Sequence, residues 1–296
     1  MIGVLQLFGV GLLVAWLGVV LYTAWSLGRV PRYTYGSAVA RGRPGDPGEL
    51  DRPTSYESFV VDGCACWSIE GDDPSGVVVV MVHGWSRSRI AALVRFEALR
   101  GVVSRVVAID LPGHGESEGR CELGAGEWRV VRRVIEVVVA DAGSPVLLHG
   151  WSMGAGVALE AAGRVDAGMV LGVVAEAPYA MPMTPARNVM QGMGVPWRLT
   201  LRPALFLCGL TRAKGPFWRG FDRRVLAERV DVPLLVVHGD ADEICPVSDG
   251  RAIAAAAPRG ELVEIEGGTH DGLWIDEESR ERMASALRGF LRTIAP

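Results

Sequence analysis

The sequence predicts an α/β protein, a mainly parallel sheet with helices on both faces, preceded by one transmembrane helix. Three observations carry this. Short runs of Val, Ile and Leu alternate with longer helical patterns from residue 77 to residue 291, 49% of the 296 residues are hydrophobic against 22% charged, and no charged residue falls between Ile2 and Gly28. Alternation of strand and helix marks parallel strands joined by crossover helices. The apolar content suffices for a large core and excludes disordered and collagen-like architectures.

Taken in order, the first element is the uncharged stretch of 27 residues from Ile2 to Gly28, which as a helix is about 40 Å long and crosses a hydrocarbon core with tilt. Trp16 lies inside it; Tyr22 and Trp25 lie near its end, where amphipathic rings favour the headgroup layer. A cleaved secretory signal is the main alternative. It calls for a basic n-region, a shorter apolar run and a small-x-small cleavage site, whereas this run has no preceding Lys or Arg and ends Thr23-Ala24-Trp25-Ser26. Residues 1–28 are therefore expected to be a transmembrane anchor. Arg29, Arg32, Arg41, Arg43 and Arg52 follow it, which places the following domain on the cytoplasmic side. Residues 29–54, rich in Gly, Pro and Arg without periodicity, read as a juxtamembrane linker, and residues 55–296 as the soluble domain.

Within that domain Tyr56–Ile69 carries a hairpin signal at Asp62-Gly63. Strands are expected at Val77–Val82, Val103–Ile109, Val146–His149, Met169–Ala175, Leu234–His238 and Leu262–Ile265. Between and after them come helices at Arg89–Arg100, Glu127–Ala140, Met153–Arg164, Val247–Ala257 and Asp276–Leu291. The stretch 178–221 fits no core strand and is rich in Met, Leu, Phe and Trp, including Met181, Met190, Trp197, Phe206 and Trp218. It reads as a helical lid, an adaptable apolar wall suited to acyl chains, although the same residues also serve simply to pack the insert onto the body.

Charge and cysteine content narrow the function. With 30 Lys+Arg against 34 Asp+Glu, no general affinity for nucleic acid is expected. The cysteines Cys64, Cys66, Cys121, Cys208 and Cys245 form no CxxC pair and no Cys/His metal spacing, so neither a disulfide framework nor a metal site is expected. Cys64 and Cys66 share one strand face as small hydrophobes, a usage that fits a reducing compartment. No cofactor is implied, and the oligomeric state is left open.

In an open parallel sheet, chemistry sits just beyond the carboxyl ends of the strands. After Val146-Leu147-Leu148 comes His149-Gly150-Trp151-Ser152-Met153-Gly154, a G-x-S-x-G pattern between strand and helix. Such a sharp turn exposes a serine hydroxyl, and the flanking glycines relieve its crowding. Ser152 needs a base. His83, His149 and His238 end strands, and His114 lies in a Pro-Gly loop, positions that shape loops by hydrogen bonding. His270, in the glycine-bearing loop after the last strand, reaches across the sheet and lies C-terminal to an acid, as the order Ser, Asp, His requires. The turn His238 to Pro246 offers Asp240, Asp242 and Glu243; Asp242 is the first choice and Asp240 the second, with Glu176 an alternative that is better read as structural. An oxyanion needs two backbone donors, expected from Met153, after the nucleophile, and Trp85, in the turn after the first parallel strand.

These ordered motifs make the chain resemble the α/β-hydrolase superfamily over about residues 55–296. They are His83-Gly84-Trp85, the loop Asp110 to Ser117, Gly150 to Gly154, His238 through Asp242 to Pro246, and Gly267 to His270. Within it the chain most resembles the monoacylglycerol lipase, lysophospholipase and serine-aminopeptidase-like branch; Trp85-Ser86 departs from the His-Gly-x-Gly form of many lipases. The resemblance implies the acid at Asp242, with Pro246 four residues later, and a structural loop at Asp110–Ser117. The fold hosts many chemistries. A serine rather than aspartate nucleophile points to acyl transfer to water, and the anchor with its apolar lid to a lipid or other small-molecule ester. A peptidase, amidase or thioesterase on the same residues, and a non-catalytic binding protein of this fold, are the alternatives.

Overall fold

The computed structural model describes residues 2–212, 214–215 and 217–294. In chain order the elements are α1 (Ile2–Gly28), α2 (Tyr35–Val39), the hairpin β1 (Tyr56–Val61) and β2 (Cys64–Glu70), then β3 (Val77–Val82), α3 (Leu93–Leu99), β4 (Val103–Ile109), α4 (Trp128–Ala142), β5 (Val146–Trp151), α5 (Met153–Ala162) and β6 (Val170–Glu176). An insert carries α6 (Met183–Gly192) and α7 (Leu201–Thr211). After it come α8 (Arg223–Ala227), β7 (Leu234–Gly239), α9 (Val247–Ala256), β8 (Gly260–Ile265) and α10 (Glu277–Ile294). The strands form one sheet in the order β1-β2-β4-β3-β5-β6-β7-β8, in which β2 alone runs against the rest.

The two faces follow from the two-residue period of a strand. On β3, Val78, Val80 and Val82 enter one apolar cluster while Val77, Val79 and Met81 enter the other. Every residue of β3, β5 and β7 is buried, which is why these runs read as continuous Val and Leu rather than as alternation. The first cluster is closed by α4 and α5, the second by α3 and α10. Helix α4 buries Val130, Val131, Val134, Ile135 and Val138, one helical stripe, and ends at Gly143 in the left-handed conformation at φ 65°.

Two stretches differ from their sequence reading. The single helix expected at Arg89–Arg100 is a 3-10 turn (Arg89–Ala92), α3 and a second 3-10 turn (Arg100–Val102). Its start is tightened because the Arg89 amide donates to Asp110 Oδ1 at 2.6 Å. Residues 29–54, read from the sequence as a linker, are docked on the body: Arg32 donates to the Gly115 carbonyl at 2.7 Å, Arg100 donates to the Arg52 carbonyl at 2.9 Å, and Val30, Ala38 and Leu50 are buried. Its elements, capped by Thr34 and Asp46, are too short to leave a period in the sequence.

Candidate active site

Ser152 stands between β5 and α5 at φ 53° and ψ −118°, a left-handed conformation for a residue with a Cβ. The turn closes only because of its glycines. A Cβ on Gly154 would lie 2.1 Å from the Val82 carbonyl oxygen, and one on Gly150 would lie 2.3 Å from the Gly154 oxygen. The strained turn is tied down by the Ser152 amide, which donates to the Glu176 carbonyl at 2.8 Å.

Residues from three strand ends meet at the hydroxyl. His270 Nε2 lies 3.1 Å from Ser152 Oγ, and His270 Nδ1 lies 2.7 Å from Asp242 Oδ2. With Asp242 ionised, the ring proton sits on Nδ1 and leaves the Nε2 lone pair facing the serine. The other Asp242 oxygen accepts the amides of Ile244 and Cys245 at 2.9 and 2.7 Å, which fixes the carboxylate plane. Burial alone would raise the Asp242 carboxyl, but hydrogen bonds from His238 and His270, the His270 charge and the Cys245 amide outweigh it and hold it at about 2. Burial opposes the charge on His270, yet the hydrogen bond to Asp242 prevails and raises its pKa well above the ordinary 6.5.

The other residues singled out in the sequence have separate places. Asp240 accepts the Gly267 amide at 2.7 Å and shapes the loop that carries His270. Glu176 is held by Arg95, which donates to both its oxygens, and lies 3.2 Å from His149 Nε2. Despite full burial its pKa is drawn to about 2 by that Arg95 charge and the His149 bond. His83 accepts the Leu111 amide at 2.9 Å, pairs with the Gly84 carbonyl at 2.7 Å, and has its pKa lowered to about 4 by burial. It thereby ties the turn after β3 to the Asp110 loop, where Asp110 accepts the Arg89 and Glu116 amides.

The turn His83–Ser86 passes beside Ser152: a Cβ on Gly84 would lie 3.2 Å from Ser152 Cβ. Met153 is the first residue of α5, so its N–H is among the four that a helix start leaves without an intrahelical acceptor. Asp242, Cys245 and His270 also have ligand atoms within 4.8 Å of one another. A cation there would compete with the Asp242–His270 hydrogen bond, and the Cys245 thiol is pushed up by burial, away from the thiolate a metal needs.

One residue had no signal in the sequence. Arg223, fully buried at the start of α8, donates to the carbonyls of Met153 (3.2 Å), Tyr179 (3.4 Å) and Ser152 (3.5 Å), with its guanidinium over the Tyr179 ring. Gly156 leaves room for it, since a Cβ there would fall 1.7 Å from Arg223 Nε. The Ser152 carbonyl and the Met153 N–H share one rigid peptide plane, so holding the first orients the second.

Compared with known proteins, residues 79–286 match the family model described as alpha/beta hydrolase family. The chain is 28% identical over 230 residues to the pimeloyl-(acyl-carrier protein) methyl ester esterase of Chromobacterium violaceum, covering 66% of this chain and 87% of that one. Among solved structures, an esterase of Pyrococcus furiosus superposes with a TM-score of 0.70 at 18% identity, over 92% of this chain and 99% of that one. A membrane phospholipase A superposes with a TM-score of 0.59 at 20% identity, over 99% of both chains.

Proposed function

The chain belongs to the alpha/beta hydrolase family, and from that premise we propose that it is a membrane-anchored serine hydrolase of carboxylic esters, acting on lipid or other amphiphilic substrates. The hydrogen-bonded series Ser152, His270, Asp242 carries the reading. In it Ser152 Oγ attacks the ester carbonyl while His270 Nε2 takes its proton. The amides of Met153 and Trp85 stabilise the oxyanion, and His270 returns the proton to the departing alcohol. Water, activated by the same imidazole, then releases the acid from the acyl-enzyme. Asp242 orients His270 and stabilises its charged form.

The substrate class rests on the uncharged α1, on the apolar insert 178–221 read as a lid, and on the alignment of a membrane phospholipase A over nearly the whole chain. The arginines that follow α1 put the domain on the cytoplasmic side, so a reporter fused after residue 296 is expected to be active only in the cytoplasm. A p-nitrophenyl ester series tests the substrate class. Hydrolysis is expected to persist beyond short acyl chains; strict preference for acetate contradicts the lipid reading, and preference for aminoacyl amides replaces esterase by amidase.

A further inference from the structure

Helix α1 does not stand clear of the body. Along its last turns Val20 and Thr23 are buried and Ala24 and Leu27 half-buried, one face at helical spacing. Trp16 Nε1 donates to the Leu199 carbonyl at 3.0 Å, Cys208 Sγ to the Ala24 carbonyl at 3.6 Å, and Trp85 Nε1 to the Leu27 carbonyl at 3.3 Å. The first two of these partners belong to the insert. The insert also leaves large apolar side chains open: Leu199 is 73% exposed and Phe217 71%, joined by Met193, Leu210 and Phe206, whose ring packs edge-on against Phe217. Patches of this kind on a protein surface mark interaction sites.

Charge sets the insert apart from the rest of the molecule. Between residues 178 and 221 stand Arg187, Arg198, Arg202, Arg212, Lys214 and Arg219 without one Asp or Glu, in a chain whose net charge is −4. Lys214 is paired with Glu160 and Arg212 donates to the Cys121 and Cys208 carbonyls, which leaves Arg198, Arg202 and Arg219 exposed among apolar side chains, a mixture that suits the boundary layer of a bilayer with anionic headgroups.

Depth follows from helix geometry. If the rings of Tyr22 mark the headgroup layer, Trp16 lies about 9 Å further into the membrane, at ~1.5 Å per residue. The Leu199 carbonyl bonded to Trp16 goes with it. Setting the boundary at Arg29, the first charge after the helix, takes the insert deeper still. Arg198 and Arg202, both exposed beside Leu199, have stems long enough to return their guanidinium groups to the headgroups.

We propose that the exposed apolar side chains Met193, Leu199, Phe206, Leu210 and Phe217, with Arg198 and Arg202, form a docking surface for an anionic lipid bilayer, so that the insert, together with α1, sets the depth and tilt of the domain. This rests on the reading of α1 as a membrane span. The same insert reaches the site through α6, where Asn188 donates to the Ile244 carbonyl at 2.9 Å, two residues from Asp242.

The test places spin labels on the full chain, reconstituted in phosphatidylcholine bilayers with and without phosphatidylglycerol, through the exposed substitutions Leu12→Cys, Leu199→Cys, Phe206→Cys and Val137→Cys. The unsubstituted chain, whose five cysteines are buried, is the blank. Labels at 12, 199 and 206 are expected to be accessible to oxygen and shielded from a water-soluble nickel chelate, with 137 the reverse. Position 12 lipidic with 199 and 206 aqueous overturns the docking surface and leaves the span intact, whereas position 12 aqueous removes the span itself. Labels at 199 and 206 shielded from both reagents mean that a second copy covers the face, and overturn the proposal. Phosphatidylglycerol is expected to drive the 199 and 206 labels deeper, and Arg198→Gln with Arg202→Gln to cancel that shift; indifference to phosphatidylglycerol overturns recognition of anionic headgroups.

Discussion

In the proposed mechanism Asp242 and His270 govern how the site responds to pH. The imidazole accepts a proton only when neutral, and its pKa lies well above 6.5 because Asp242 favours the charged ring. Turnover should therefore appear as pH rises through that value and vanish below it, with an acid limb on the alkaline side of an ordinary histidine. Asp242→Asn removes the charge and the tautomer preference together. It should cost on the order of 10³–10⁴-fold in kcat and move the limb toward lower pH, which a pH series of kcat/KM reads directly. Glu176 has the opposite character: its carboxylate is spent on Arg95 and His149, away from the serine. Arg95→Met would leave that charge buried with only His149 beside it, a loss of about 3 kcal/mol, visible as a fall in Tm of roughly 10 °C by scanning calorimetry.

At the scale of elements, α1 ends against the active site, where its Leu27 carbonyl accepts the Trp85 indole N–H and the nearby Pro31 carbonyl accepts Ser86 Oγ at 3.3 Å. Trp85 belongs to the turn expected to supply an oxyanion donor, so the helix steadies that turn in addition to the membrane role proposed for it. Trp85→Phe deletes one hydrogen bond of about 1 kcal/mol, roughly fivefold in kcat/KM, and removal of residues 2–28 should lower detergent-solubilised activity at least as much. Unchanged kinetics in both variants would leave α1 with the membrane alone. Elements were legible where an unbroken apolar run or a helical period is long enough. β3 and β4 occupy their expected bounds, and α4 and α10 lie within a few residues of theirs. The helix at Arg89–Arg100 was less so, because the tertiary hydrogen bond that its first amide donates to Asp110, invisible in local sequence, tightens the first turn.

Across the whole molecule, the sheet order brings the ends of β3, β5, β7 and β8 to one edge, and distant residues meet there: 118 positions separate Ser152 from His270. Their meeting was readable because each follows a strand and the chain order limits which histidine can reach the serine. Asp242 could be preferred to Asp240 by motif alone; the structure separates them by giving one His270 and the other the Gly267 amide. Arg223 was not readable at all. Its partners are carbonyls, which every residue carries, and only folding places three of them around one guanidinium. The docking of residues 29–54 leaves no sequence signal for a similar reason, resting on single buried side chains instead of a pattern. The central claim is an activated serine at position 152, and labelling of the detergent-solubilised full chain with a fluorophosphonate tests it most directly. The unsubstituted protein should be labelled and Ser152→Ala should not; a folded wild type that resists the probe, or a variant labelled as strongly as wild type, would contradict it.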